Sequence, residues 1–205
     1  LGAAAPRFAE AVGLDIAMRW LHVSRRRFMD MGIAAPPLVC AGAEHLPFAD
    51  GSFDRIACVA TLEFIEDVRA VLAECARVLA PGGALLVNTV NRFSLAPNPH
   101  VGLWGVGFVP RSLRVAYVRR RTGATFENVH LRSLRQLHRA ARESFGVRRF
   151  LPADVDDETL GSLPLRLQRL VRIYRRLRTR PPFAGILRWL GPEWDILLTH
   201  PAPPA

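Results

Sequence analysis

Apolar positions in the first part of the chain follow two alternating periods. Ala11–Asp15, Pro37–Ala41, Phe53–Ala60 and Ala84–Val90 are short apolar runs of strand length. Between them, Met18–Met31 places Met18, Leu21, Phe28 and Met31 close to one helical stripe. Val68–Leu79 does the same with Val68, Val71, Leu72, Cys75, Val78 and Leu79. Gly32 can stop the first helix, Pro81-Gly82-Gly83 breaks the second, and Asp50-Gly51 marks a turn. Strands and helices alternating at this spacing predict right-handed crossovers and a largely parallel sheet.

The remainder is less regular. Residues 92–131 contain Pro97, Pro99, four Gly and a Trp, then an Arg-rich helical stretch over Arg111–Arg121. Leu134–Ser144 reads as a helix and Val147–Leu151 as a strand. Asp154–Glu158 is an acidic patch that fits a loop or a helix start. Leu163–Leu177 sets Arg166, Arg169, Arg172, Arg175 and Arg176 opposite Leu163, Leu167, Leu170, Val171 and Tyr174, the pattern of a basic amphipathic helix. Trp194–Thr199 is a last strand, and the Pro-rich Pro201–Ala205 is expected to fray.

Charge divides the chain unevenly. All 28 basic residues are Arg. Residues 1–91 carry 8 Arg against 10 Asp and Glu, a net of −2, whereas residues 92–205 carry 20 against 8, a net of +12. Half of the residues are hydrophobic, which excludes disorder throughout. No apolar run approaches the roughly 18 residues of a spanning helix, and no secretory signal is visible. Cys40, Cys58 and Cys75 form no C-x-x-C pair and read as buried free thiols in a reducing, cytoplasmic setting.

Asp15 ends an apolar run, where an acid in a parallel sheet points into the ligand crevice and can accept both hydroxyls of a ribose. The same residue can instead cap the next helix. Three further stretches follow: Ala43-Glu44-His45-Leu46-Pro47-Phe48 running to Asp50-Gly51-Ser52-Phe53-Asp54, then Leu62-Glu63, then Arg77-Val78-Leu79-Ala80-Pro81-Gly82-Gly83. In this order and spacing they resemble class I S-adenosylmethionine-dependent methyltransferases, in particular the small-molecule group that includes quinone-biosynthesis methyltransferases. The resemblance covers residues 11–91.

It implies an α/β, Rossmann-like, doubly wound and mostly parallel sheet with the last strand antiparallel and helical cap insertions. It also implies S-adenosyl-L-methionine as cofactor. Asp15 would hold the ribose and Ile16 would pack on the adenine. Gly42, Ala43 and Glu44 would receive the adenine edge, and Ala60 and Thr61 would lie near the methionine part. Leu46, Phe48 and Phe53 read as core. On this basis residues 1–91 are a partial cofactor-binding core and 92–131 a cap. Residues 132–155 complete the core, 156–192 form an Arg-rich helical insertion, and 193–205 supply the last strand and tail.

Three departures stand out. The family's first strand and G-x-G-x-G loop are not found upstream of Asp15, so the chain is expected to be an N-terminal truncation. Gly42 stands where relatives often have Asp. Phe64 stands where many have His after Leu-Glu.

The expected reaction is methyl transfer to a small, hydrophobic acceptor. A base is needed only for a protonated acceptor, and His100 and His130 are the candidates. No catalytic residue and no metal site is assigned from the sequence. The segment from Asn91 to Phe108 can close over a flat or greasy acceptor, or pack as a capped turn. The rival reading is a non-catalytic chain whose basic half binds an anionic surface or partner. The Leu163–Leu177 helix then offers peripheral membrane contact. It lacks a nucleic-acid recognition motif.

Overall fold

In the computed structural model, residues 8–155, 157–162 and 164–200 are described. The segment Leu1–Glu10, expected from the sequence to be the tail of a helix, falls mostly outside that range, as do Leu163 and Pro201–Ala205. Two compact units are present, residues 1–50 and 51–205.

The first unit holds β1 (Gly13–Asp15), α1 (Met18–Asp30) and β2 (Leu38–Cys40), with β1 and β2 paired in parallel. Helix α1 buries Leu21 and Phe28 but leaves Met18 and Met31 more than half exposed, so only the middle of the expected stripe is core.

The second unit is built on the sheet order β3-β4-β6-β5. Strands β3 (Phe53–Val59) and β4 (Leu79–Val90) are parallel. Strand β6 (Glu193–Thr199) runs antiparallel to both β4 and β5 (Val147–Pro152). Three strands therefore share one direction and the last is reversed, as expected. Helix α2 (Val68–Val78) connects β3 to β4. Asp67 Oδ1 caps it by accepting from the N–H groups of Arg69 and Ala70. All six of the apolar residues that the periodicity marks there are buried. On β6, Trp194, Ile196 and Leu198 alternate inward and complete this core.

Strand β4 begins earlier than its sequence suggests. Leu79 already pairs with Phe53, and Ala84 then pairs with Arg55, so Pro81-Gly82-Gly83 forms a bulge inside the strand. Gly82 takes the φ of +75° that this needs.

Residues 92–131 pack as a small core of their own. Val106, Val118, Phe126 and Leu131 cluster on Val90 at the end of β4. Helix α3 (Arg111–Thr122) supplies Val118 and the buried Arg114, whose guanidinium donates to the carbonyls of Val106 and Val109. Gly107 has no room for a side chain, because a Cβ would lie 1.5 Å from the Arg92 carbonyl oxygen. Helix α4 (Leu134–Ala141) opens on a capping box of Ser133 and Gln136. Asp157 and Glu158, the end of the acidic patch, open α5 (Asp157–Ser162).

Helices α6 (Leu165–Leu177) and α7 (Phe183–Leu190) bury no residue. The face expected to be apolar on α6 is split: Val171 and Tyr174 are half-buried, but Leu167 and Leu170 are exposed. Arg175 leaves the solvated face and pairs with Asp154 and Asp157.

Candidate functional site

In the first unit, the carboxyl ends of β1 and β2 carry five of the expected residues. The two strands stay together past their ladder, since Ala41 N–H donates to the Asp15 carbonyl and the Cys40 thiol to the Ile16 carbonyl. Asp15 Oδ1 accepts from Ala17 N–H at 2.7 Å, which fixes the carboxylate at the strand end. Helix α1 starts from Ala17 with no side-chain cap, so Asp15 does not cap it, and its Oδ2 is free of any hydrogen bond among the described residues. Ile16, next along, is 74% exposed. Gly42 faces it across the turn. A Cβ on Gly42 would stand 3.3 Å from Glu44 Oε2 and 3.8 Å from Ile16 Cδ1. A carboxylate, an open apolar side chain and a bare glycine backbone form an open cradle, polar at one edge and apolar at the other. Ala43 lies on the same turn and is half-buried.

In the second unit, Ala60 and Thr61 follow the end of β3. Ala60 adopts φ +50°, left-handed backbone that is costly for alanine and tends to occur at functional positions. Its N–H donates to the Asn88 carbonyl, and Thr61 Oγ donates to the Val59 carbonyl. The short 3-10 turn Leu62–Phe64 comes next. Arg132 clamps it from afar by donating to the carbonyls of Leu62, Ile65 and Glu66.

That turn buries Glu63 to 2% exposure. Thr89 Oγ donates to Glu63 Oε2 at 3.1 Å, and His100 Nε2 stands 3.4 Å from Glu63 Oε1. The Phe64 ring meets His100 edge-on at 5.2 Å, so the aromatic that replaces the family's histidine supports a histidine from elsewhere. The Glu63 carboxylate thus accepts a hydroxyl on one oxygen and faces an imidazole ring with the other. Nearby on β6, burial pushes the Glu193 carboxyl up, with Glu63 and Asp195 adding to the shift and Asn88 and His100 opposing it. The other candidate base, His130, has its imidazole pKa pushed down by partial burial and by Arg132 and Arg111.

Thr89, Arg132 and Glu193 were not singled out in the sequence. Their roles depend on pairings across tens of residues that leave no local spacing signal. Of the three cysteines expected to be buried, only Cys75 is; Cys58 is half-buried and Cys40 is exposed. Among the described residues, no group of acidic, His and Cys side chains could hold a metal ion, and no helix is long and apolar enough to cross a membrane.

Residues 1–87 match the methyltransferase domain family. Over 84 residues the chain is 34% identical to the ubiquinone biosynthesis O-methyltransferase of Xylella fastidiosa, which is 41% of this chain and 34% of that protein. It is 40% identical over 73 residues to the ubiquinone/menaquinone biosynthesis C-methyltransferase of Cupriavidus pinatubonensis, which is 36% of this chain and 30% of that protein. The chain thus spans about a third of the length of these curated relatives. In fold it is similar to an S-adenosylmethionine-dependent methyltransferase from Mesorhizobium loti, with TM-score 0.57 and 20% identity over 94% of this chain and 81% of that one. The geranyl diphosphate C-methyltransferase of Streptomyces coelicolor gives TM-score 0.57 and 16% identity over 98% of this chain and 66% of that one. Residues 1–87 thus match the methyltransferase domain family, and the fold as a whole is similar to that of S-adenosylmethionine-dependent methyltransferases.

Proposed function

We propose that the protein transfers a methyl group from S-adenosylmethionine to a small, hydrophobic acceptor. The observation that carries this reading is the cradle at the ends of β1 and β2: Asp15 with one carboxylate oxygen free, exposed Ile16, and Gly42 with Glu44 on the facing turn. Asp15 would hold the ribose hydroxyls, Ile16 would cover the adenine, and Gly42, Ala43 and Glu44 would line its edge. Ala60 and Thr61 would border the methionine part. When bound, S-adenosylmethionine supplies an activated methyl on sulfur, so the chain's task is to orient the acceptor and exclude water.

Residues 92–131 serve as the acceptor cap in this reading. Leu95, Trp104 and Phe108 offer it exposed apolar surface. Residues 1–91 and 132–155 form the core, with 156–192 as the Arg-rich insertion. Two of the relatives above are named for ubiquinone or menaquinone biosynthesis and one for geranyl diphosphate, which supports a small acceptor with apolar surface here. Unpaired cysteines support a cytoplasmic setting.

Calorimetry with S-adenosylhomocysteine on the full natural chain tests the reading. Binding that falls at least tenfold in Asp15→Ala supports it. No binding, or binding indifferent to Asp15, removes it.

Peripheral contact with an anionic membrane is proposed for α6. Leu167, Leu170 and Ile173 are exposed at three-residue steps, beside the exposed Arg166, Arg169 and Arg172. At about 1 kcal/mol for each Arg near such a surface, replacing all three by Gln weakens vesicle binding about a hundredfold. Equal binding to neutral vesicles, or preference for RNA over vesicles, rejects the contact.

A further inference from the structure

We propose that His100, held by Glu63, is the general base that takes the proton of a hydroxyl acceptor, so that this protein is an O-methyltransferase. The inference rests on the methyl-transfer reading above and specifies its chemistry.

The geometry begins with position. Glu63 lies on the turn that follows Ala60 and Thr61 at the carboxyl end of β3. His100 lies on the chain leaving the carboxyl end of β4. These are neighbouring parallel strands, and ligands bind in such sheets beyond their carboxyl ends. Both groups belong to the second unit, so their pairing depends on nothing outside it.

Orientation comes next. Glu63 Oε2 accepts from Thr89 Oγ at 3.1 Å, and His100 Nε2 lies at ion-pair distance, 3.4 Å, from Oε1. His130 N–H donates to the Glu63 carbonyl at 2.6 Å, which fixes the backbone as well. Asn98 Oδ1 accepts from His100 N–H at 3.0 Å, and Phe64 packs on the ring. Nε2 facing a carboxylate places the imidazole proton there and leaves Nδ1 as the basic nitrogen. A buried carboxylate behind the ring then stabilises the imidazolium that forms, an arrangement of acceptor, imidazole and carboxylate shared with other acid–base sites.

The surrounding acids do not compete for the acceptor. Glu63 is buried and occupied. Asp195 Oδ1 accepts from Asn88 Nδ2 at 3.0 Å. Glu193 is pushed toward its neutral form. The His100 side chain remains 23% exposed. The charged groups around the pair are thus Glu63 and Glu66 on the turn after β3, Arg132 and His130 before α4, and Glu193 and Asp195 on β6.

The step balances as follows. The acceptor O–H gives its proton to His100 Nδ1 while the oxygen forms a bond to the methyl carbon. The carbon–sulfur bond breaks and its electron pair stays on sulfur, leaving S-adenosylhomocysteine and a methyl ether. The imidazolium then releases the proton to water.

The test uses the full natural chain with catechol and phenethylamine as acceptor probes, S-adenosylhomocysteine calorimetry, and nitrogen-15 spectra of His100. Wild type is expected to show the Nε2–H tautomer and to methylate catechol. His100→Gln should bind S-adenosylhomocysteine as wild type does but lose about a hundredfold or more in catechol turnover. Added imidazole should restore part of the rate in His100→Ala. Glu63→Gln should mix the two tautomers. An Nδ1–H tautomer in the wild type, catechol turnover unchanged in His100→Gln, or transfer confined to phenethylamine overturns the base. The tautomer is read without any substitution, so a poorly folding variant does not shield the proposal. If wild type fails to bind S-adenosylhomocysteine at all, the methyl-transfer reading falls, and the base with it.

Discussion

Helices α2 and α6 carry the same kind of sequence signal and meet opposite fates. On α2, Val71, Leu72, Cys75 and Val78 are at most 4% exposed against the sheet. On α6, Leu167, Leu170 and Ile173 are each more than 40% exposed. What holds α6 is polar: Tyr174 donates to the Ala153 carbonyl at 2.7 Å, Arg178 donates to the Pro152 carbonyl at 3.3 Å, and Arg175 reaches Asp157 at 2.5 Å. Periodicity reports that a helix has an apolar face; only the presence of a sheet face or a second helix decides whether folding covers it.

A matched pair of truncations breaks this comparison most directly. Leu72→Ala is expected to cost about 2–5 kcal/mol and Leu170→Ala about half a kcal/mol or less. Equal losses in urea unfolding would mean that α6 is covered after all. Next in size is Thr89→Val, which strips a donor from the buried Glu63 carboxylate and should cost about 1–3 kcal/mol. A neutral outcome would mean that water reaches Glu63.

Glu193→Gln sharpens the same contrast through pH. Burial raises the folded carboxyl above its unfolded value, so the folded chain keeps its proton when the unfolded chain has lost it. Wild-type stability from this group therefore falls as pH rises out of the ordinary carboxylate range and stops falling once the folded carboxyl has ionised. The Gln variant should be the more stable at neutral pH, and the two should converge in acid. A constant difference across pH refutes the assignment. Smallest is Arg175→Gln on α6, expected to cost less than about 1 kcal/mol and to lose even that in high salt.

The parallel core was legible because its information is local. Gly32 and Pro81-Gly82-Gly83 close the two helical runs, and the residues proposed to hold the adenosine lie within two short stretches. Elsewhere the local signal was overridden. Pro81-Gly82-Gly83 reads as a break, yet β3 supplies partners on both sides of it and β4 runs through the bulge. Helix α7 follows Pro181-Pro182 and has only eight residues, too few repeats for its period to stand out. The Glu63–Thr89–His100 cluster was illegible as a unit. Strand pairing of β3 with β4 is what brings the three together, and no spacing in the chain encodes it.

The three thiols give the molecule a chemical reporter. Burial pushes Cys58 up to about 11 and Cys75 up to about 12, so neither yields much thiolate at neutral pH. Cys40 is exposed at the end of β2, with its sulfur 3.4 Å from the Ile16 carbonyl oxygen. A maleimide should therefore mark this position first. Because it adjoins Ile16 and Gly42, the rate of that labelling should drop when a nucleoside fills the cradle, and occupancy becomes measurable by mass spectrometry before any methyl acceptor is known.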